Sequence, residues 1–222
     1  MKKKKTKDYL RFTDINIYQD DEMFCVNTDT ALLGKFIDFK KYQSVLDIGT
    51  NNGALLLYAS LKTPKLLCGI DINEKALSLA KENLDMNEVE AELYHTRVQD
   101  FKHEPFDIII TNPPFFEMHN PKHNKYKKMA MFEDHLVLDE LFKSFINLSK
   151  DNSSIFVVYP SNRFAEFYNM CLKYKYKMMV LQFVYDKNKD EALRFLVKLK
   201  RGQMTKIKIL QPIMIENGVI LE

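Results

Sequence analysis

The sequence of this chain predicts an α/β fold with a mostly parallel, seven-stranded sheet and an antiparallel hairpin strand near the C-terminus. Short apolar runs alternate with amphipathic helical segments through the first half of the chain. Acidic residues end the first two of these runs. Nearer the C-terminus, two apolar runs are joined by a polar turn, which is typical of an antiparallel pair. The alternation in the first half is produced by right-handed crossovers between parallel strands.

The composition favours one globular domain without a membrane segment or a metal framework. The chain has 222 residues, of which 46% are hydrophobic and 12% aromatic, so it can form a substantial core. No apolar run is long enough to cross a membrane, and the N-terminus lacks the apolar region of a signal peptide. The three cysteines form no C-x-x-C pair, which favours a reducing, cytoplasmic setting. The net charge is only +3, so charge alone does not indicate a nucleic-acid-binding protein.

Residues 1–27 are expected to form a basic tail with a strand or hairpin extension, and residues 28–222 a single domain. The first seven residues are rich in lysine, which is typical of a solvated end, with a phosphate-contacting arm as the alternative. A helix is predicted over 31–37, and Thr28 or Asp29 is expected to cap it. Capping by itself would explain Asp29.

A glycine-bearing loop, Gly49-Thr50-Asn51-Asn52-Gly53, lies between a buried strand over 44–48 and a helical run over 54–61. Such a loop lets the backbone approach a ligand closely and points helix N-terminal amides at it. It lacks the G-x-G-x-x-G pattern of dinucleotide-binding loops. Asp47 stands two residues before the first glycine. A carboxylate there would repel a pyrophosphate but would suit a ligand that bears a cationic amine.

Acidic residues also follow the second and third predicted strands. The second strand, over 65–70, ends at Asp71, which is placed to accept hydrogen bonds from both hydroxyls of a ribose. Asn73 is expected to cap the helix that follows. Beyond the third strand, Asp100 could accept a hydrogen bond from an adenine amino group, with Phe101 beside the ring. A solvated turn would also explain Asp100.

The loop Asn112-Pro113-Pro114-Phe115 ends a strand predicted over 106–110. Prolines end a strand because they cannot donate a ladder hydrogen bond, and open α/β sheets bind ligands at this edge. The side-chain oxygen of Asn112 and a backbone carbonyl can accept both protons of one –NH₂ group, while Phe115 can stack on its plane. These bonds would localise the nitrogen lone pair and make the nitrogen nucleophilic. A simple turn is the alternative, since Asn and Pro favour turns.

A basic segment over 117–128 follows this loop. Its four lysines are Lys122, Lys125, Lys127 and Lys128. Beside a base-binding pocket they would contact the phosphates that flank a target nucleotide, whereas the alternative is a disordered surface loop. His119 and His123 lack a third ligand at suitable spacing, so no metal site is expected.

The C-terminal part is expected to complete the sheet with two strands joined by the polar turn 186–190. The remaining predicted elements are a strand over 91–95, a helix over 137–148, a strand over 155–160, a helix over 161–172, strands over 179–185 and 193–199, and a short strand and tail over 205–222.

Two of these motifs resemble those of the class I S-adenosylmethionine-dependent methyltransferases. The segment from Asp47 to Gly53 resembles their D-x-G-x-G-x-G loop, with Asn51 in place of the middle glycine. The Asn112 loop resembles the [D/N/S]-P-P-[F/Y/W] motif of the branch that methylates amino groups. Asn tolerates left-handed backbone angles better than other non-glycine residues, so the loop can keep its shape. The resemblance implies a Rossmann-like class I methyltransferase fold and S-adenosyl-L-methionine as cofactor.

Over nearly the whole chain, the sequence is most similar to the family that methylates N6 of adenine-37 in valine tRNA. Residues 24–33, 112–116 and 183–199 carry this similarity. Relatives often have Ala-Arg-His-Glu where this chain has Ala130-Met131-Phe132-Glu133, which leaves the identity of the substrate open.

The resemblance implies a role for each matched position. The implied catalytic residues are Asn112, Pro113 and Phe115. The implied cofactor-binding residues are Asp29, Asp47, Gly49, Asn51, Gly53, Asp71, Ile72, Asp100, Phe101 and Asn112. The implied substrate-binding residues are Phe115, Phe116, Lys122, Lys125, Lys127 and Lys128.

The implied reaction is an in-line displacement, in which an adenine amino nitrogen attacks the sulfonium methyl and S-adenosylhomocysteine leaves. The implied partner is tRNA, with an unpaired adenine of the anticodon loop as target, and a monomer without membrane association is expected. Three alternatives stay open. They are methylation of another RNA amino group such as guanine N2, N5-methylation of a protein glutamine, and a non-catalytic RNA-binding module that lost cofactor affinity through Asn51. Glutamine methyltransferases usually carry a helical N-terminal domain, which the short leader here cannot form.

Overall fold

The computed structural model of the protein describes residues 5–20, 25–113 and 138–221, which form a mixed sheet flanked by helices and an N-terminal hairpin. The helices are α1 (Thr28–Phe36), α2 (Ala54–Ser60), α3 (Glu74–Met86), α4 (Leu138–Leu148) and α5 (Phe164–Lys173). The strands are β1 (Lys5–Tyr9), β2 (Asn16–Asp20), β3 (Ser44–Ile48), β4 (Leu66–Asp71), β5 (Glu92–His95), β6 (Phe106–Thr111), β7 (Ser149–Pro160), β8 (Tyr176–Asp186), β9 (Ala192–Arg201), β10 (Lys208–Ile209), β11 (Ile213–Glu216) and β12 (Val219–Ile220).

The strand order of the large sheet is β12-β11-β8-β9-β7-β6-β3-β4-β5, and β10 also pairs with β8. The run from β5 to β7 is parallel, while β9 lies antiparallel between β7 and β8. The predicted α/β fold, with a mostly parallel sheet and an antiparallel hairpin strand, is confirmed. The expectation of one short strand and a tail over 205–222 is wrong, because three short strands extend the sheet beyond β8. The predicted number of seven strands is too low for the same reason, since the sheet has ten strands within the described residues. The free edge of β8 allows this pairing, and no pattern within such short segments indicates it.

Helices cover both faces of the sheet because successive residues of a strand point to opposite sides. In β3, Leu46 belongs to the core with Phe142 of α4 and Phe167 of α5, whereas Val45 belongs to the core with α1 and α2. Each of these side chains is fully buried. Burying a Val, Leu or Phe side chain contributes roughly 2 kcal/mol. The two cores therefore hold the central strands firmly and fix where their carboxyl ends lie.

The N-terminal hairpin pairs β1 with β2 and packs on α3. Asn83 of α3 is fully buried and accepts a hydrogen bond from the backbone N–H of Tyr18 (2.6 Å). The Asn83 amide also donates to the carbonyls of Tyr18 (3.0 Å) and Asn52 (2.9 Å), which joins the hairpin to the glycine-bearing loop. Residues 5–7 of the lysine-rich end are exposed to solvent, as expected, but they lie in β1, where ladder hydrogen bonds with β2 hold their backbone.

The N-cap of α1 is Asn27, so the prediction of Thr28 or Asp29 as the cap is wrong. Asn27 Oδ1 accepts a hydrogen bond from the backbone N–H of Thr30 at 2.9 Å. Asp29 lies in the first turn and forms an ion pair with Arg194 of β9, from Nε to Oδ2 at 3.0 Å. Several neighbouring polar residues could cap α1. Asp29 is engaged by Arg194, and Asn27 forms the cap.

Candidate functional site

The carboxyl ends of four parallel strands meet at one edge of the sheet. Ile48 of β3 pairs with Ile70 of β4 on one side and with Thr111 of β6 on the other. Asp71 of β4 pairs with His95 of β5. The segments that follow these strands therefore lie side by side. Open α/β sheets bind their ligands at this edge.

Asp47, near the end of β3, is fully buried. Neither of its carboxylate oxygens has a hydrogen-bond partner among the described residues. Burial raises the pKa of Asp47 to about 7. The Thr50 side chain acts to lower this pKa, although the Thr50 hydroxyl completes no hydrogen bond within the described part of the chain. The charge of Asp71 raises the pKa of Asp47 further. A buried carboxyl without a partner is unfavourable. A cationic group at this edge would supply the missing partner.

The loop after β3 has the backbone shape that its glycines and asparagines suggest. Gly49, Asn51 and Gly53 have φ angles of 74°, 48° and 81°, all in the left-handed region. Asn51, which replaces the middle glycine of the family motif, therefore holds the angle that the motif requires. A Cβ atom placed on Gly49 would meet nothing within 4 Å, whereas one placed on Gly53 would lie 3.3 Å from Ala80 of α3. The space over Gly49 is thus open to a ligand, while Gly53 packs against the protein.

Asp71 joins this loop to the end of β4. Its Oδ2 accepts a hydrogen bond from the backbone N–H of Asn51 (2.8 Å), and its Oδ1 accepts one from that of Asn73 (2.9 Å). Burial raises the pKa of Asp71, and these backbone amides act in the opposite direction. Asn73 caps α3 through the backbone N–H of Lys75, as predicted. Each carboxylate oxygen has two lone pairs, so Asp71 can still accept hydrogen bonds from a ligand.

Three further positions with predicted cofactor contacts lie at the outer side of this edge. The carbonyl of Ile72 lies 3.0 Å from Nε2 of His95. Asp100 is exposed and belongs to the turn that follows β5. The ring of Phe101 stacks on that of His103, with centroids 5.7 Å apart, and contacts Tyr94 at 5.3 Å. Phe101 is therefore held by an aromatic cluster beside Asp100.

The amide of Asn112 is fixed from the side of α1. Its Nδ2 donates a hydrogen bond to Oγ1 of Thr30 at 3.3 Å. Oγ1 of Thr30 donates in turn to Oδ1 of Asn27 at 3.1 Å. Pro113 is buried, and the preceding Thr111 hydroxyl donates to the carbonyl of Ile48 at 2.9 Å. The strand end that carries Asn112 is thus bonded both to β3 and to α1.

Sequence reasoning did not identify Thr30, Asn27 or Arg194 as parts of this edge. Thr30 and Asn112 are 82 positions apart in the chain, and no local pattern connects them. The one available signal is the polar run Asn27-Thr28-Asp29-Thr30 before an apolar helix, in which the sequence predicts helix caps and, by resemblance, a cofactor contact of Asp29. Arg194 engages Asp29, so the predicted contact between Asp29 and a cofactor would have to share the carboxylate with this ion pair.

Several predicted site residues lie outside the described part of the chain, and the structure says nothing of them. These are Phe115, Phe116, Lys122, Lys125, Lys127 and Lys128, together with His119, His123 and the Ala130-Met131-Phe132-Glu133 segment.

The described residues fit the cofactor that the resemblance implies. S-adenosyl-L-methionine carries a cationic amine and a ribose diol, and the edge offers the unpartnered carboxylate of Asp47 and the accepting carboxylate of Asp71. Open space over Gly49 leaves room for close approach of a ligand to the backbone. Burial strengthens the attraction between Asp47 and a cation, because the local dielectric is low.

Other kinds of site find little support in the residues that the structure describes. No group of three or more His, Cys, Asp or Glu side chains within the described ranges could hold a metal ion. Cys68 and Cys171 are free thiols, and burial raises the pKa of both to about 12. No helix of the described chain is long and apolar enough to cross a membrane.

Comparison with known proteins gives a family and a set of relatives. Residues 14–137, more than half of the chain, match the family model described as the methyltransferase small domain. A tRNA1(Val) (adenine(37)-N6)-methyltransferase from Dyadobacter fermentans is 26% identical over 208 residues, which cover 92% of this chain and 87% of that protein. The protein of the same name from Pseudoalteromonas translucida is 31% identical over 145 residues, covering 64% of this chain and 62% of that protein.

Among solved structures, a T. thermophilus 16S rRNA N2 methyltransferase in complex with AdoMet and guanosine superposes with a TM-score of 0.64. The superposition covers 90% of this chain and 51% of that chain, at 15% sequence identity. At this level of identity the similarity concerns the fold alone.

Proposed function

Because the chain belongs to the methyltransferase small domain family, we propose that it transfers a methyl group from S-adenosyl-L-methionine to N6 of an adenine in tRNA. The observation that carries this proposal is the placement of two polar groups on neighbouring strands. The Asn112 amide lies just beyond β6, and Asp47, whose carboxylate has no hydrogen-bond partner among the described residues, lies near the end of β3. One group suits a planar amino acceptor, and the other suits a cationic donor. Adenine-37 of valine tRNA is the proposed target, because the relatives that cover most of the chain carry this name.

The proposed cofactor contacts divide between two strands. Asp47 would pair with the cationic amine, and Asp71 would accept hydrogen bonds from the ribose hydroxyls. Gly49, Asn51 and Gly53 shape the loop that lies between them. Asp100 and Phe101 would contact the adenine moiety from the outer side, and Asp29 and Ile72 would complete the site. When bound, the cofactor supplies an electrophilic methyl group on a sulfonium.

The proposed task of Asn112 is to orient and polarise the acceptor. Its Oδ1 would accept a hydrogen bond from one N–H of the adenine amino group, and the backbone carbonyl beside it would accept a hydrogen bond from the other N–H. Both bonds withdraw the nitrogen lone pair from conjugation with the ring. Pro113 keeps the backbone rigid, since its φ angle is fixed. As the new N–C bond forms, the S–C bond breaks, and the methylated nitrogen then gives one of its two protons to solvent. No covalent nucleophile is needed, so the catalytic gain comes from orientation.

The proposed RNA contacts fall mostly on residues outside the described ranges. Phe115 would stack on the target base, and Phe116 and the lysines Lys122, Lys125, Lys127 and Lys128 would contact the RNA around it. An unpaired anticodon-loop base is a suitable target, because it can enter a pocket without breaking a base pair. A tRNA substrate implies that the enzyme works in the cytoplasm, and we propose that it acts as a monomer.

The substrate is tested by incubating the enzyme and S-adenosyl-L-methionine with unmodified tRNA, followed by nucleoside analysis. N6-methyladenosine is the expected product. N2-methylguanosine would replace the proposed base with another RNA amino group, and methylation of a protein glutamine would move the substrate out of RNA. Absence of cofactor binding in calorimetry at millimolar concentration would favour a non-catalytic RNA-binding module.

Substitution of Asn112 tests its proposed role. We expect Asn112→Ala to lose at least about a hundred-fold in kcat, the scale found when one preorganised polar group is removed from a reacting centre. Its thermal unfolding should stay close to that of the parent protein, because the side chain makes one described hydrogen bond. Parental kcat in this variant would show that Asn112 does not orient the acceptor.

A further inference from the structure

We propose that Thr30 is a positioning residue that fixes which end of the Asn112 amide faces the methyl acceptor. This inference rests on the proposed function, since it assigns Thr30 a part in orienting the group that holds the acceptor. The three residues concerned, Asn27, Thr30 and Asn112, form a continuous hydrogen-bonded chain from the start of α1 to the end of β6. We call this series of three hydrogen-bonded residues the amide relay.

The direction of the amide relay is set at its first member. The backbone N–H of Thr30 lies 2.9 Å from the Asn27 side chain. A backbone N–H can only donate, so the Asn27 atom that it meets must be the amide oxygen and not the nitrogen. The helix cap therefore removes the two-fold ambiguity that an isolated Asn amide would have.

The second member transmits this direction through its hydroxyl. Oγ1 of Thr30 lies 3.1 Å from the same Asn27 oxygen, which has no proton to give, so the hydroxyl proton of Thr30 must be donated there. A hydroxyl has one proton and two lone pairs. Toward Asn112, at 3.3 Å, Oγ1 of Thr30 can therefore act only as an acceptor.

The orientation of the third member, the Asn112 amide, follows from this. The end of the Asn112 amide that faces Thr30 must be the –NH₂ group, so Oδ1 points away from α1. The amide in the opposite orientation would place two accepting oxygens together at Thr30 and would present N–H donors to an acceptor amino group. Thr30 is only 8% exposed, so its hydroxyl is well placed to hold this orientation without competition from bulk water. The amide relay thereby makes Asn112 an acceptor on the side where the proposed reaction needs one.

The nearly isosteric change Thr30→Val tests this inference, because it keeps the side-chain shape and removes the hydroxyl. We expect kcat to fall about five- to tenfold, the factor that loss of one neutral hydrogen bond corresponds to. The KM for tRNA and the affinity for S-adenosyl-L-methionine should change by less than about twofold, because Thr30 acts only on orientation. Thr30→Ser, which keeps the hydroxyl, should retain most of the parental kcat.

Two comparisons separate positioning from a general loss of structure. Ser144→Ala removes another buried hydroxyl, which donates to the Glu140 carbonyl in α4, and it should leave kcat unchanged. In the Asn112→Ala background, Thr30→Val should add no further loss, because the group on which it acts is gone. Parental kcat in Thr30→Val, or an equal additional loss in the Asn112→Ala background, would overturn the inference.

A readout without substrate distinguishes failure of this inference from failure of the proposed function. The side-chain –NH₂ signals of Asn112 in a ¹⁵N NMR spectrum can be assigned by their disappearance in Asn112→Ala. We expect Thr30→Val to shift or broaden them and Thr30→Ser to restore them, whichever acceptor the enzyme uses. Unchanged signals in Thr30→Val would show that the hydroxyl does not hold the amide. If these signals respond but no RNA is methylated, the amide relay stands and the proposed substrate fails.

Discussion

At the scale of single residues, Asp47 combines features that rarely occur together. Its carboxylate is fully buried, and both of its oxygens lack partners among the described residues. Burial raises the pKa of Asp47 to about 7, so in the free protein this group takes up a proton over a range in which exposed carboxyls are ionised. A cationic ligand reverses this effect, because an opposite charge favours the ionised form.

We therefore expect cofactor binding to be coupled to proton release. Below pH 7 the free protein carries a proton on Asp47, and the cationic amine of S-adenosyl-L-methionine lowers the pKa, so binding at pH 6 should release close to one proton. Affinity should rise between pH 5 and about 7 and then level off. Calorimetry at pH 6 in two buffers of different ionisation enthalpy measures the released protons.

Asp47→Asn is the control for this coupling, since it cannot ionise and keeps nearly the same shape. Its binding enthalpy should be the same in both buffers, apart from any contribution of Asp71, whose pKa burial also raises. Equal binding enthalpies for the parent protein in the two buffers would contradict the prediction.

At the scale of elements, Asn83 of α3 holds together parts that are distant in the chain. Its amide makes hydrogen bonds to both backbone groups of Tyr18 in the N-terminal hairpin and to the carbonyl of Asn52 in the glycine-bearing loop. The loop carries proposed cofactor contacts, so one buried side chain links the hairpin directly to the loop of the candidate site.

Replacing Asn83 should therefore destabilise the protein more than an exposed change on the same helix. We expect Asn83→Ala to lower the free energy of unfolding by roughly 2–3 kcal/mol, because it leaves buried backbone groups without partners. Ser78→Ala, which removes an exposed hydroxyl bonded to the Glu74 carbonyl of α3, should change it by less than about 0.5 kcal/mol. Urea denaturation of the two variants measures the difference, and equal values would show that Asn83 is not a structural link.

Much of the element scale could be predicted from sequence, since the central strands have strong local signals. Runs such as Phe106-Asp107-Ile108-Ile109-Ile110 mark buried parallel strands, and the acids and the Asn-Pro-Pro turn mark their ends. The cap of α1 and the strands of the C-terminal edge could not be predicted, because tertiary contacts decide them. Asp29 forms an ion pair with Arg194, and β10 and β11 pair with the edge of β8.

The candidate site likewise has residues that could be predicted from the sequence and contacts that could not. Asp47, Asp71 and Asn112 could be predicted as candidate site residues because each lies at or next to a strand end, at the edge where open α/β sheets bind ligands. The partners that orient them could not be identified, since the contact between Thr30 and Asn112 joins residues 82 positions apart. Polar residues at strand ends can be predicted from the sequence. The hydrogen bonds that orient their side chains cannot, because they join residues that only the fold brings together.

At the scale of the whole molecule, cofactor binding should stabilise the folded chain. A ligand that binds only the folded state adds about 2.7 kcal/mol at a concentration of 100 Kd. For a protein of this size that corresponds to a rise in Tm of roughly 5–10 °C. Differential scanning calorimetry with and without S-adenosyl-L-methionine tests this expectation, and adenosine alone serves as a control that lacks the cationic amine. An unchanged Tm at saturating cofactor would contradict it.

The position of β9 has a consequence for synthesis of the protein. This strand lies between β7 and β8 in space but follows both of them along the chain. While residues 192–201 are still inside the ribosome, β7 therefore has no partner on one side, and the unpaired N–H and C=O groups of that edge are available to other chains. The nascent chain cannot complete its central sheet until β9 has been translated and has left the ribosome, so the interval before that point is when this fold is most exposed to misassembly.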